Sequence, residues 1–350
     1  MRRRDVLKGL AAVGLTATGA GAADASRRQP LGLVIHSYAV RGSKPLEPDF
    51  PSLSDPLAFV EHAAVLGAAG VQTRIGLPDA TALGRLKEAV SSHGMYLEGT
   101  LALPKDEGDV SRFEAEVVAA KAAGAEVLRS VCLSGRRYEE FRSREQFDNF
   151  ARRSWRSLTL AEPVVAKHRM RLAVENHKDW RVDELLAWLK RLGSEYVGVC
   201  LDTGNSIALL EEPQAVVEAY APWTMTTHLK DMGVAEYDEG FLLSEVPLGQ
   251  GFLDLPRMVA AIRQARPAAR LNLEMITRDP LRVPCLSDGY WATLPQIPAS
   301  ELAAALGRVR RHGFQGGLPT IGGLSQREQL RREAENIDLC LRYAAENLAE

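Results

Sequence analysis

Cysteine is scarce: the 350 residues contain four, none in a C-x-x-C pair. That argues against a thiolate zinc site, and the wide spacing asks for no disulfide. Cys132 and Cys200 fall in apolar, strand-like stretches and read as small buried hydrophobes. Neither charge is in real excess, with 43 Lys and Arg against 45 Asp and Glu and a formal net charge of −2. Such a chain lacks the basic face that nucleic acid requires, so no nucleic-acid partner is expected. Long hydrophobic runs are missing too: none approaches the ~20 residues of a membrane span. No G-x-G-x-x-G follows the first apolar stretch of the body (31–42), which removes the fingerprint of a dinucleotide fold. There is no sequence repeat and no linker that divides the chain. What remains is a 46% hydrophobic, 25% charged composition, typical of a folded globule.

Residues 1–25 stand apart. They begin Met1-Arg2-Arg3-Arg4-Asp5-Val6-Leu7-Lys8, continue through a small-residue apolar stretch, and reach Ala-x-Ala sites at Ala20–Ala22 and Ala23–Ala25. A basic start, a short apolar core and a small-residue cleavage site make a secretory signal. The Arg3-Arg4-x-Val6-Leu7-Lys8 pattern resembles the bacterial twin-arginine export signal. The expectation is export to the periplasm, cleavage after Ala22 or Ala25, and no stable membrane insertion of the remaining body. Residues 26–350 are then expected to form one domain.

That body alternates apolar runs with helical patterns. Candidate strands are 31–38, 70–75, 96–101, 127–132, 171–177, 197–202, 224–229 and 271–276, at the spacing of βα units. Between them, 183–189 places apolar residues at helical spacing behind an N-cap candidate, Asp183. Asp254-Leu255-Pro256 is a cap followed by proline in the first turn, and 325–348 is a charged helix carrying Leu330, Ile337, Leu341 and Tyr343. Eight such units predict an α/β fold, a (β/α)8 TIM barrel. Gly249-Gln250-Gly251 reads as a tight loop. The segments 42–56 and 277–298 read as long loops on the catalytic face, where a lid would form. Arg136-Arg137 and Arg308-Val309-Arg310-Arg311 read as solvated faces.

The chemistry lies at the ends of the last four strands. These read Val174-Glu175-Asn176-His177, Leu201-Asp202-Thr203-Gly204-Asn205, Thr227-His228-Leu229-Lys230-Asp231 and Leu273-Glu274-Met275. A barrel places strand ends of this kind at its active site. Glu175, Asp202 and Glu274 could not all remain ionised close together without a cation. Oxygen-rich ligation with one imidazole, His228, suits one divalent metal: Mn²⁺, Mg²⁺ or Co²⁺, with Zn²⁺ also open. Position alone adds His36, Arg74, Glu98 and Arg129 at the ends of strands one to four. It also adds His177, Asn205, Lys230 and Arg278 beside the metal strands, and the aromatic pair Tyr290 and Trp291 in the long loop after strand eight.

Taken with Pro247-Leu248-Gly249-x-Gly251, these motifs resemble the xylose isomerase-like TIM barrels, and within them the sugar isomerase and epimerase branch that includes D-tagatose 3-epimerase and inosose-processing enzymes. The resemblance runs over roughly 31–276. It implies that Glu175, Asp202, His228 and Glu274 bind one divalent metal, manganese first among the candidates. It further implies that Glu175 and Glu274 act as acid and base on a small carbohydrate substrate through a cis-enediolate; for such a substrate, His36, His177, Asn205, Lys230, Arg278 and Trp291 are by position the expected contacts, with the Tyr290 and Trp291 rings able to stack on a sugar. Asn205 stands where such epimerases carry His, and Lys230-Asp231 where they carry Arg. The reaction is therefore expected to be isomerisation or epimerisation, with a metal-dependent lyase or dehydratase acting on a 3-keto-glycoside or inosose as the alternative. A non-catalytic exported sugar-binding protein would have no need of paired carboxylate bases. Endonuclease IV-like repair would call for more histidine than the seven present and for a basic face. Homo-oligomerisation stays open.

Overall fold

The structure, a computed structural model, describes residues 30–44 and 47–349. The expected leader and its cleavage sites (1–25) lie outside the described residues.

Eleven strands occur among the described residues: β1 (Gly32–Val34), β2 (Gly70–Thr73), β3 (Tyr96–Thr100), β4 (Val127–Ser130), β5 (Arg171–Glu175), β6 (Val197–Asp202), β7 (Thr224–His228), β8 (Asp231–Tyr237), β9 (Gly240–Val246), β10 (Asn272–Leu273) and β11 (Leu281–Val283). Eight form one parallel sheet in the order β10-β1-β2-β3-β4-β5-β6-β7. Parallel bridges pair Thr226 with Arg270 and Leu229 with Leu273, so β7 meets β10 and the sheet closes into a barrel. This is the predicted (β/α)8 architecture. Helices follow the strands, from Pro56–Val65 after β1 to Gln326–Asn347 after β10. Among the described residues no helix is long and apolar enough to cross a membrane.

Burial explains why these runs become strands. Val71, Leu97, Leu128, Leu172 and Val199 are fully buried between sheet and helices, as expected for parallel strands covered on both faces. Tyr96 fills the bottom of the barrel, its hydroxyl donating to Leu271 O and facing Asn272 Oδ1 at 2.9 Å. A Cβ on Gly70 would lie 2.3 Å from the Tyr96 ring, so the tyrosine fits only because its neighbour is glycine.

Several sequence expectations need correcting. β1 stops at Val34 because the chain turns into a 3-10 helix over Ile35–Tyr38. β4 stops at Ser130, leaving Cys132 beyond the strand and only half-buried, while Cys200 is fully buried. β10 has only two residues, so Glu274 lies just past it. The helix expected from Asp183 starts at Val182, with Arg181 at the cap and Asp183 in the first turn. Asp254 does cap its helix, accepting from Arg257 N at 3.2 Å. The C-terminal helix runs over Gln326–Asn347 behind a Ser325 cap.

The antiparallel hairpin β8–β9, joined by β11, has no counterpart in the sequence reading. It converts part of the expected 277–298 loop into a strand and a short helix, Asp288–Trp291. Asp231 anchors the hairpin by accepting from the N–H groups of Met232, Gly249, Gly251 and Leu253 at 2.8–3.2 Å. That is the tight loop read at Gly249–Gly251, and a Cβ on Gly251 would fall 2.1 Å from Asp231 Oδ1. The basic cluster at Arg137 is not a solvated face. Arg137 is 1% exposed and donates to Thr293 O, Thr293 Oγ1, Asp179 O and Glu184, tying the segment after β11 to the barrel. Arg308 is likewise half-buried and donates to Leu210 O and Glu211 O.

Candidate metal centre and active site

The four strands β5, β6, β7 and β10 are consecutive around the barrel, and each delivers one ligand candidate at its C-terminal end. Ligand atoms of Glu175, Asp202, His228 and Glu274 all lie within 4.8 Å of one another, and all four residues are buried. Parallel register sets this up directly, with Glu175 opposite Cys200 and Asp202 opposite His228.

His228 is oriented for ligation. Its Nε2 donates to Gln72 Oε1 at 2.8 Å, and Gln72 Nε2 donates in turn to Glu98 Oε2 at 2.9 Å. That leaves Nδ1 facing Glu175 Oε2 at 3.4 Å and Glu274 Oε2 at 3.5 Å, with no hydrogen bond of its own. Asp202 Oδ2 also lacks a hydrogen bond, although Lys230 Nζ lies 2.9 Å away. Asp202 Oδ1 accepts from Gly204 N and Asn205 N at 2.8 Å, which fixes the carboxylate. A buried imidazole nitrogen and a buried carboxylate oxygen, both without hydrogen-bond partners and aimed at one point, fit a divalent cation.

Cations surround these anions. Arg129, from β4, donates to Glu175 Oε2 through Nε (2.6 Å) and through a second guanidinium nitrogen. Burial pushes the Glu175 carboxyl up, but the Arg129 guanidinium and His228 outweigh it and hold it at about 2. Lys230 Nζ is 2.6 Å from Glu274 Oε2 and 3.8 Å from Glu245 Oε1. Burial opposes ionisation of Glu274, and Lys230 and His228 again prevail, keeping its carboxyl well below the usual range. Asp202 first, then Glu274 and Glu245, raise Lys230 despite its own burial. Burial raises Asp202 even with Lys230 beside it.

The other sequence candidates divide. His36 Nδ1 lies 3.1 Å from Glu274 Oε1. Asn205 donates through Nδ2 to Glu175 Oε1 at 3.1 Å and accepts from Lys178 and Lys230. His177 follows β5, with Nδ1 unpartnered, and burial with Lys178 alongside lowers it to about 3. Arg278 is one step removed, holding Glu245 at 3.1 and 2.5 Å. Trp291 does not face the site: its indole N–H donates to Cys285 O and its ring joins the satellite core under the hairpin. Tyr290 is buried there as well, its hydroxyl donating to Ala208 O. Glu98 sits inside the barrel rather than in the mouth, accepting from Gln72, Thr226 and Asn272.

Three neighbours of the centre were not singled out from the sequence. Gln72 gives no signal beyond being a polar residue in an apolar strand. Lys178 lies in the polar run after β5, which does mark a strand end. Glu245 belongs to the unforeseen hairpin.

Residues 60–292, well over half the chain, match the family described as the xylose isomerase-like TIM barrel. The chain belongs to this family. A curated relative, the 3-oxo-isoapionate decarboxylase of Pectobacterium atrosepticum, is 32% identical over 103 residues. That match covers 29% of this chain and 38% of the relative, so the chain spans well under half of the protein it matches. Among solved structures, a xylose isomerase-like protein from Mycobacterium smegmatis in complex with magnesium is 14% identical with a TM-score of 0.53, over 79% of this chain and 98% of that one. The 3-keto-D-glucoside 4-epimerase of E. coli is 13% identical with a TM-score of 0.53, over 81% and 99%. At such identities the likeness is one of fold.

Proposed function

We propose that this protein is a divalent-metal-dependent isomerase or epimerase of a keto-carbohydrate. The observation that carries the reading is the order of ligands around the barrel. Glu175 and Glu274 come from the two ends of the β5-β6-β7-β10 arc, with Asp202 and His228 between them. A substrate lying across this arc meets one carboxylate from each end. Glu175, Asp202, His228 and Glu274 would hold the cation, which when bound supplies Lewis acidity toward the substrate's carbonyl and hydroxyl oxygens; manganese is our first candidate. One glutamate removes the proton α to the carbonyl and the other returns a proton to the planar enediolate from its own side, which inverts the carbon. Return to the neighbouring carbon gives isomerisation instead. Arg129 and Lys230 keep both carboxylates ionised at rest, so the returning glutamate first takes its proton from solvent; His36, bonded to Glu274, lines the cleft beside them.

A second reading, a metal-dependent lyase acting on a 3-keto-glycoside, an inosose or a keto acid, is favoured by the decarboxylase relative and by the concentration of cations at the site. Loss of a leaving group or of CO2 passes through the same enediolate or enolate. The test is incubation of the Mn²⁺-loaded protein with ketoses, inososes, 3-keto-glycosides and keto-sugar acids in D2O, followed by NMR. Deuterium incorporation without elimination supports the isomerase or epimerase, whereas elimination or decarboxylation products replace it with the lyase. Absence of both exchange and such products with every substrate removes both. We also propose export through residues 1–25, checked by fractionating cells that express the full chain with Arg3 and Arg4 intact or changed to Lys.

A further inference from the structure

The metal-ligating arc takes up only half of the barrel mouth. Over the other half, at the ends of β1 to β4, lies an open cleft of about 800 Å³ lined by His36, Arg74, Thr100, Lys105, Arg112 and Arg129, among others. That is within the usual size of a small-molecule site. Its inner end meets the proposed acid and base through two of its lining residues, because His36 bonds Glu274 and Arg129 bonds Glu175.

The outer end is charged, and its charges are unevenly used. Arg112 is fully committed: it donates to both oxygens of Asp109 at 3.0 and 2.7 Å, to Glu116 at 2.9 Å, and to the carbonyls of Ala102 and Leu103. These bonds fix the wall after β3. Arg74 reaches only Glu116, at 3.7 Å, and its side chain is 78% exposed. Lys105 gives its backbone N–H to Asp109, while its ammonium forms no ion pair among the described residues. Arg129 is taken up by Glu175 outside the cleft, so Arg74, Lys105 and Arg112 face Asp109 and Glu116, leaving one positive charge uncompensated.

We propose that Arg74 and Lys105 bind a carboxylate carried by the substrate, so that the protein acts on a keto-sugar acid whose carboxylate lies away from the reacting carbons. This rests on the keto-carbohydrate reading above and narrows it. A hydroxyl at this position would be no better a partner than water, whereas a carboxylate makes charge-assisted bonds roughly twice as strong as neutral ones. A single spare positive charge matches a monoanion better than a phosphate dianion.

The experiment titrates the Mn²⁺-loaded full chain by calorimetry with D-fructose, D-fructuronate and a fructose phosphate, at low and high salt. D-fructuronate is expected to bind about tenfold more tightly than D-fructose at low salt, a difference of about 1.4 kcal/mol. That advantage should shrink with salt. It should vanish in the Arg74→Gln/Lys105→Gln double variant, whose Mn²⁺ affinity, measured without sugar, stays at the wild-type value. Fructuronate binding no tighter than fructose, a preference that survives in the double variant, or a phosphate that outcompetes fructuronate overturns the inference. Its failure is distinguishable from failure of the broader reading. If neutral ketoses exchange deuterium with no preference for the acid, only the carboxylate site is lost. If Mn²⁺ does not bind at all, the metal-dependent reading is lost.

Discussion

His228 Nε2 donates to Gln72 Oε1 across 2.8 Å, deep in the barrel and on the side away from the proposed cation. The bond fixes which imidazole nitrogen faces Glu175 and Glu274. Outer groups of this kind typically contribute about 10–100-fold to metal affinity. Gln72→Leu, similar in volume but unable to accept, is expected to weaken Mn²⁺ binding by about that factor with the fold intact. Calorimetric Mn²⁺ titration alongside a melting curve checks this. Wild-type affinity in the variant would mean that His228 needs no such orientation.

Lys230 bears on the same centre from the opposite side. Its ammonium lies within 3 Å of both Asp202 Oδ2 and Glu274 Oε2, so it neutralises in advance the oxygens a cation would use. Removing one partner of a buried ion cluster costs about 3–5 kcal/mol. Lys230→Met should therefore melt well below wild type without metal and regain more of its melting temperature on addition of Mn²⁺. Thermal unfolding with and without Mn²⁺ reads both effects, and an unchanged metal-induced shift would contradict this role.

Glu98 gives a pH dependence. Burial pushes its carboxyl up to about 7, against the donors Gln72, Thr226 and Asn272 and the nearby His228. A carboxyl raised in the folded state favours folding while protonated. Its contribution is thus complete below the unfolded value of about 4.5 and is lost as pH rises through about 7. The loss is on the order of 3 kcal/mol at most. Glu98→Gln, which stays neutral, should flatten the fall in melting temperature across this window, as scanning calorimetry at a series of pH values would reveal.

The barrel and its four ligand candidates were legible because both are written locally. Parallel strands read as apolar runs, and each run ended at a carboxylate or imidazole. The β8–β9 hairpin was not legible. Its strands are held by Asp231 accepting N–H groups up to 22 residues away, a closure that no periodicity shows. Trp291 was misplaced for the same reason, since the aromatic residues that looked like a sugar platform fill the core beneath that hairpin. Arg137 looked solvated because its partners, Thr293 and Glu184, are remote in sequence. Lys230 drew attention by its position beside a ligand strand, and Gln72, inside a strand, drew none. Their roles depend on partners such as Glu98 and Glu245, which only the closed barrel brings near.

The two glutamates should fail differently when neutralised. Glu175 is the buried counterion of Arg129, which is itself 6% exposed, so Glu175→Gln leaves a guanidinium buried without its carboxylate. Glu274→Gln leaves Lys230 still held by Asp202 at 2.9 Å. Both variants remove a proposed proton carrier and a metal ligand, and general acid–base catalysis alone is worth about 10²–10⁴-fold. Solvent deuterium exchange into substrate is therefore expected to fall by at least that factor in each. Only Glu175→Gln should also lose about 3–5 kcal/mol of stability from the uncompensated charge. Raising Mn²⁺ to saturation separates lost metal from lost chemistry. If saturated Glu274→Gln exchanges deuterium at the wild-type rate, Glu274 is a ligand and not a base, and the proton must travel through another group, of which Lys230 at 2.6 Å and His36 at 3.1 Å are the candidates beside it.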